Sequence, residues 1–166
     1  MDNSNRWRAR ALGVIGLAIL VSCAAHEFAA LPGAAAAPTK DAVQPELFAA
    51  AANGDLEALR LLVAAGADIG RRDARGWSAL HHAAGANLVD TVGFLLAHGA
   101  AVDTQNEEGA TALHFAGQEG YLAVARALLE RGASTKVRTK TGLTPLDLAL
   151  VTEHDEVASL LIERDR

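Results

Sequence analysis

Histidines and carboxylates are the side chains in this 166-residue chain that could hold a metal ion or carry out acid–base chemistry. His81 and His114 each follow an Ala-Leu pair, and His154 lies within an acidic run at residues 153–156. Zinc prefers nitrogen and oxygen ligands of these kinds. The alternative is structural, because acidic residues at the start of the final helix would stabilise its dipole. We favour this structural alternative for the acidic run. His82 and His98 could also be exposed, but two histidines without a third ligand make a weak site.

Motifs typical of enzymes do not occur in the sequence. There is no Gly-x-Ser-x-Gly elbow, no phosphate-binding glycine loop and no His-Glu-x-x-His helix. The sequence therefore predicts a protein that is not an enzyme and has no metal and no cofactor.

The N-terminal residues have the pattern of a bacterial secretory signal peptide. Three arginines lie within residues 1–10, residues 11–21 are apolar, and small residues follow. The stretch 11–25 has fifteen residues, fewer than the roughly 20 that a membrane-spanning helix needs. We therefore expect residues 1–22 to direct export to the periplasm.

The single cysteine, Cys23, follows Leu20, Val21 and Ser22 in an arrangement that resembles the bacterial lipobox. The resemblance implies lipidation of Cys23 after cleavage before it, which would anchor the protein to a membrane. Ordinary cleavage beyond Cys23, which would release a soluble periplasmic protein, stays open. Residues 23–43 are rich in alanine and proline, which predicts a flexible tether.

Composition and charge exclude several classes of protein. The chain is 51% hydrophobic, which is too high for a disordered protein, and one cysteine cannot form an internal disulfide. Removal of residues 1–22, which contain three basic residues and one acidic residue, takes the formal net charge from −5 to −7. Such a charge disfavours nucleic acid as a partner.

From residue 44 onward the sequence repeats with a constant period, and this repeat must position any functional side chain. The recurring positions include Gly76, Gly109 and Gly142; Leu80, Leu113 and Leu146; and Leu62, Leu95, Leu128 and Leu161. Each unit has the pattern of two helices of at most about ten residues, too short to be stable alone. A hydroxyl residue suited to N-capping precedes the first helix at Ser78, Thr111 and Thr144.

The segments 78–83, 111–116 and 144–149 resemble the Thr-Pro-Leu-His-x-Ala signature of ankyrin repeats. The resemblance implies an all-α solenoid over residues 44–166, with about four helix-turn-helix units joined by β-hairpin-like turns. The expected units are residues 45–72, 73–105, 106–138 and 139–166. The resemblance also implies that His81 and His114 bond the capping hydroxyl and the neighbouring repeat. Asp147 replaces this histidine in the last unit.

The same resemblance implies that a partner protein binds the hairpin tips and the concave face of the first helices. Charges at the successive tips run basic, acidic, basic. The predicted partner-binding residues are Arg72, Arg75, Trp77, Gln105, Glu107, Glu108, Gln118, Glu119, Arg138, Lys140 and Leu143. Tryptophan and arginine are frequent hot-spot residues, but packing of Trp77 on the preceding turn fits the sequence equally well.

Two functions agree with these features. The first is a monomeric adaptor or maturation factor that binds a periplasmic or envelope protein. The alternative is an immunity or inhibitor protein that occludes a periplasmic toxin or hydrolase. Both would use the same surface, so the sequence does not separate them.

Overall fold

The computed structural model describes residues 40–166 of the chain. The predicted signal peptide, Cys23 and most of the predicted tether lie outside the described residues. Among residues 40–166, none of the helices combines the length and the apolar character that crossing a bilayer requires.

Eight helices in the described part of the chain form four successive helix-turn-helix pairs. They are α1 (Lys40–Asn53), α2 (Leu56–Ala64), α3 (Ala79–Gly85), α4 (Val89–Ala97), α5 (Ala112–Glu119), α6 (Leu122–Glu130), α7 (Pro145–Val151) and α8 (Asp155–Arg164). The first helices α1, α3, α5 and α7 stack in that order, and α4, α6 and α8 stack beside them. This arrangement confirms the expected all-α solenoid of four units.

Hydroxyl residues cap three of the four first helices, as the sequence predicts. Ser78, Thr111 and Thr144 are the N-cap residues, each with an extended backbone. The hydroxyl of Thr144 accepts a hydrogen bond from the backbone N–H of Asp147 at 3.1 Å. The cap thus satisfies one of the N–H groups that have no partner within the first turn of a helix.

The core consists of leucines and alanines at positions that recur in each repeat. The buried leucines at these positions, each at most 1% exposed, are Leu80 and Leu113 on first helices and Leu62, Leu95, Leu128 and Leu161 on second helices. Burial of one such side chain contributes about 1.5–3 kcal/mol. Stacking of the pairs therefore supplies the stability that short helices lack on their own.

The helices α5 and α7 approach each other closely at Gly117. A Cβ atom added there would lie 2.6 Å from the carbonyl oxygen of Pro145. The equivalent residue of α7 is Leu150, which is 53% exposed. A large side chain is therefore accommodated in the last repeat at a position where the preceding interface requires glycine.

The first helix is longer than the sequence indicates. It has 14 residues and begins at Lys40, whereas the sequence places the flexible tether up to residue 43 and the domain from residue 44. Val43 is fully buried, and the side-chain amide of Gln44 both donates to the carbonyl oxygen of Asp68 (2.8 Å) and accepts from its N–H (3.1 Å). These contacts make the end of the predicted tether part of the folded domain.

Candidate functional site

Each of the three hairpins is shaped by a polar residue at its start, at Asp73, Asn106 and Thr139. The carboxylate of Asp73 accepts from the backbone N–H groups of Arg75 (2.8 Å) and Trp77 (2.9 Å). The side chains of Asn106 and Thr139 accept from the corresponding backbone groups of their own hairpins. These three residues occupy the same position of successive repeats. Asp, Asn and Thr side chains commonly bond the backbone of a turn in this way, so their role could have been predicted from the sequence, although they were not among the predicted site residues.

The charge state of Asp73 is fixed by the same hydrogen bonds. Burial alone would raise its pKa, but the N–H groups of Trp77 and Arg75, together with His82, outweigh that effect and lower the pKa below its usual value. The nitrogen Nε2 of His82 lies 3.1 Å from the carboxylate. The hairpin is therefore held by an ionised side chain at neutral pH.

Neighbouring hairpins are joined at their tips by backbone hydrogen bonds. The N–H of Glu107 donates to the carbonyl oxygen of Arg75 (3.4 Å), and the N–H of Lys140 donates to that of Glu108 (2.8 Å). The basic, acidic and basic tips are thus adjacent along the stack. The side chains of these four residues are exposed to solvent.

Arg72, Gln105 and Arg138 form a row that connects the hairpins at their sides. The guanidinium group of Arg72 donates to the carbonyl oxygen of Gln105 (3.1 Å). The amide of Gln105 donates to the carbonyl oxygens of Gly109 (2.9 Å) and Arg138 (3.5 Å). All three residues are exposed, and the row also links one repeat to the next.

An aromatic stripe, made of Phe48, His82, Trp77 and Phe115, runs along the first helices. Ring centroids are 5.7 Å apart for Phe48 and His82, 5.3 Å for His82 and Trp77, and 4.7 Å for Trp77 and Phe115. The guanidinium carbon of Arg75 lies 5.4 Å from the centroid of the Trp77 ring. Trp77 thus contacts the helix that follows it, the next repeat and Arg75 of its own hairpin. All four rings remain partly exposed.

A groove of about 560 Å³ continues the stripe between the second and third hairpins. Phe115, Leu143 and Leu148 supply its apolar lining, and Gln118 contributes an amide. Five of the predicted partner-binding residues line this one groove: Glu107, Glu108, Gln118, Lys140 and Leu143. Glu119 is exposed beside it, and its carboxylate accepts a hydrogen bond from the Gln118 amide at 3.2 Å.

Phe115 and Leu148 are groove residues that the sequence analysis missed. Together with His82 they occupy one position of the first helix in successive repeats. The sequence shows that they recur at one repeat position, but Phe and Leu at such a position are also typical of a buried core. In the structure both side chains are partly exposed, so they line the groove and are not part of a fully buried core.

The histidines of the repeat signature have a structural role, as expected. The backbone N–H of Ser78 donates to Nδ1 of His81 at 3.0 Å, and the Ser78 hydroxyl lies 2.8 Å from the same atom. Since Nδ1 accepts, the proton lies on Nε2, which donates to the carbonyl oxygen of Ala110 at 3.0 Å. His114 repeats the arrangement with Thr111 and, at 3.3 Å, the carbonyl oxygen of Leu143.

Both histidines are neutral in the folded protein at pH 7 and above. Burial lowers the pKa of His81 and of His114 below the usual value of 6.5, although the hydrogen bonds from Nε2 to backbone carbonyls act in the opposite direction. A second proton on the ring would occupy Nδ1 and remove its bond to the cap. Protonation therefore opposes folding.

We expect the free energy of unfolding to be constant above about pH 7 and to decrease as the pH falls below the unfolded-state pKa of 6.5. Below that value the unfolded chain binds protons that the folded chain excludes, with a slope of at most about 1.4 kcal/mol per pH unit for each histidine. Urea denaturation at pH 7.5 and pH 5.5 measures the difference. The free energy of unfolding of a His81→Asn/His114→Asn variant should depend less on pH, whereas that of a variant at an exposed histidine, His98→Gln, should depend on pH as in the wild type. If the wild type and both variants had the same pH dependence, His81 and His114 would not be its cause.

Asp147 replaces the signature histidine in the last repeat and keeps the cap. Its carboxylate accepts from the backbone N–H of Thr144 at 2.8 Å and from the Thr144 hydroxyl at 2.7 Å. These bonds lower the pKa of Asp147 below its usual value. The substitution thus preserves the start of α7.

The acidic run at residues 153–156 opens the last helix. Asp155 and Glu156 lie in the first turn of α8, where the helix dipole favours negative charge. Over residues 40–166, no three or more His, Cys, Asp or Glu side chains are grouped so that they could hold a metal ion. Asp155 and Glu156 thus lie at the helix start where the structural interpretation places them.

Comparison with known proteins agrees with this geometry. A family model for ankyrin repeats (3 copies) matches residues 47–139, which is more than half of the chain. Among curated proteins, no relative matches the sequence. The fourth helix pair, α7 and α8, lies beyond the matched residues but stacks on the others in the same way.

Proposed function

This chain belongs to the ankyrin-repeat family, and we propose that it is a non-enzymatic adaptor or maturation factor for a protein of the bacterial envelope. Ankyrin repeats mark it as a protein–protein interaction module. The envelope location is supported by the signal-peptide pattern of residues 1–22. The observation that carries the proposal is the continuous surface formed by the aromatic stripe, the groove and the charged hairpin tips.

Three properties of this surface support binding rather than a purely solubilising role. Apolar side chains such as Phe115 are partly exposed where a charged residue would serve solubility better. Aromatic and arginine side chains lie together at Trp77 and Arg75, as in many interface hot spots. Bonds between successive tips hold the surface in place before a partner arrives, which reduces the entropy lost on binding.

Site-specific photo-crosslinking in intact cells tests the proposal. A photoreactive amino acid replaces Gln118, which lines the groove, and, as the control, Glu130, an exposed residue of α6. We expect position 118 to give a discrete crosslink to one envelope protein and position 130 to give none. Equal crosslinking at both positions, or crosslinks only to cytoplasmic proteins, would contradict the proposal.

Deletion of the protein separates the adaptor from the inhibitor. Loss of an adaptor lowers the activity of the crosslinked partner. Loss of an immunity or inhibitor protein is lethal unless the partner is deleted as well. The second outcome would show that the protein is an immunity or inhibitor protein and not an adaptor. The proposed binding surface would be the same.

Lipidation of Cys23 is the second part of the proposal, and it concerns the location of the module. If the lipobox resemblance holds, Cys23→Ser should move the protein from the membrane fraction to the soluble periplasmic fraction, because the acyl chains are lost. Cell fractionation followed by immunoblotting measures the distribution. An unchanged membrane fraction in the Cys23→Ser variant would exclude the lipid anchor and leave the binding module unaffected.

A further inference from the structure

The groove between the second and third hairpins has acidic groups on one rim that form no ion pair within the described residues. Glu107 and Glu108 are exposed at the tip of the second hairpin. Close contacts between basic and acidic side chains of described residues join His82 to Asp73 (3.1 Å) and Arg138 to Asp147 (4.0 Å) and include neither glutamate. Lys140 lies on the opposite rim, and within this part of the chain its side chain forms no ion pair with them.

The floor of the groove is apolar, and it is large enough for a side chain of a partner. Phe115, Leu143 and Leu148 line a volume of about 560 Å³ and remain partly exposed. A leucine or phenylalanine side chain placed there would gain about 25 cal/mol for each Å² of apolar surface removed from water. Such a side chain would lie directly beside the acidic tip.

We propose that this groove binds an extended segment of the partner in which a lysine or arginine is adjacent to a large apolar residue. The apolar side chain enters the groove against Phe115 and Leu148, and the basic side chain pairs with Glu107 and Glu108. This inference rests on the proposed function and specifies the chemistry of its partner.

The neighbouring tips favour a single basic residue at this place. Arg75 on one side and Lys140 on the other are exposed cations, so a second lysine or arginine of the partner opposite either of them would be repelled. Acidic or neutral residues of the partner would be accepted there. The tips thus define a charge order for the segment, with the basic position in the middle.

Selection from a random peptide library displayed on phage tests the proposal, with the mature chain as bait. The expected result is enrichment of peptides that contain Lys or Arg next to Leu, Ile, Phe or Met. Enriched peptides should bind the Glu107→Lys/Glu108→Lys variant at least about tenfold more weakly. The Glu130→Lys/Glu163→Lys variant, which changes the charge equally on exposed residues of the second helices, should bind them as the wild type does.

Enrichment of acidic peptides, no enrichment above background, or equal weakening by both double variants would overturn the proposal. Far-UV circular dichroism and thermal melting of both variants verify that they are folded. The outcome is independent of the proposed function, because a crosslink from position 118 to an envelope protein would stand even if the selected peptides were acidic. Absence of that crosslink would instead contradict the proposed function itself.

Discussion

Leu113→Ala should lower the free energy of unfolding by about 2–5 kcal/mol, because it leaves a cavity at a fully buried position. Leu113 is 0% exposed, and its helix α5 packs between α3 and α7. The cavity would weaken the interfaces on which each neighbouring pair of helices depends. Since a domain of this size has a total stability of about 5–15 kcal/mol, the loss is a large fraction of it.

Urea denaturation followed by circular dichroism measures this change. The matched control is Leu150→Ala, the same chemical change at a leucine that is 53% exposed, and surface substitutions usually stay within about 0.5 kcal/mol. If Leu113→Ala unfolded within the error of the control, the assignment of Leu113 to the core between repeats would be wrong.

Gly76→Ala is expected to have the second large effect, and it acts at the hairpin tip. Gly76 has a φ of +74°, and a Cβ atom there would lie 2.8 Å from the backbone nitrogen of Glu107. A left-handed backbone costs an alanine about 1–2 kcal/mol, and overpacking against the next hairpin adds about 1–3 kcal/mol. The variant should therefore lose both stability and the alignment of adjacent tips.

Gly142→Ala separates the two contributions. Gly142 occupies the equivalent position of the last hairpin, with a φ of +83°, and a Cβ atom there would meet nothing within 4 Å. It should lose only the backbone contribution, so the two alanine variants should differ by about 1–3 kcal/mol in urea denaturation. Equal losses would show that the hairpins are not held in close contact at Glu107.

The fold was predictable because its main determinants recur in successive repeats. Leu80 and Leu113 stand in the same place in neighbouring units, and so do the histidines that bond the caps. A prediction made for one repeat is therefore supported by the same residues in the next repeat. The helix pairs, caps and hairpins could all be predicted from the period. Irregular features had no such support, which explains why the start of α1 was missed: Gln44 bonds to Asp68, 24 residues away, in a contact that the sequence period does not indicate.

The candidate site was predictable only in part. Its charged tips follow from the repeat, because hairpin positions are fixed by the period. The groove does not follow, since it depends on contacts that differ between interfaces. At one position of the first helix the chain has His82, Phe115 and Leu148 in successive repeats, and only the stacked structure shows Phe115 in contact with Trp77 on one side and open to the groove on the other.

The row formed by Arg72, Gln105 and Arg138 illustrates the same difference. The sequence identifies these residues as candidates for partner binding because they lie at hairpin positions. In the structure the Arg72 and Gln105 side chains also bond the backbone of the following repeat. Substitutions of these two residues would therefore change stability as well as binding, so they are poor choices for a test of the surface.

Affinity capture from an envelope extract, with the mature chain and a tip variant as baits, tests the central claim most directly. The tip variant is Arg75→Glu/Glu108→Arg/Lys140→Glu, which reverses one exposed charge at each hairpin. Its control is Arg126→Glu/Glu130→Arg/Arg131→Glu, which has the same change in net charge at exposed residues of α6 and its C-cap.

The account predicts one stoichiometric partner on the wild type and on the control, and its loss from the folded tip variant. Capture of the same protein by all three baits would contradict the account, because the partner would then bind somewhere other than the hairpin tips and the groove beside them.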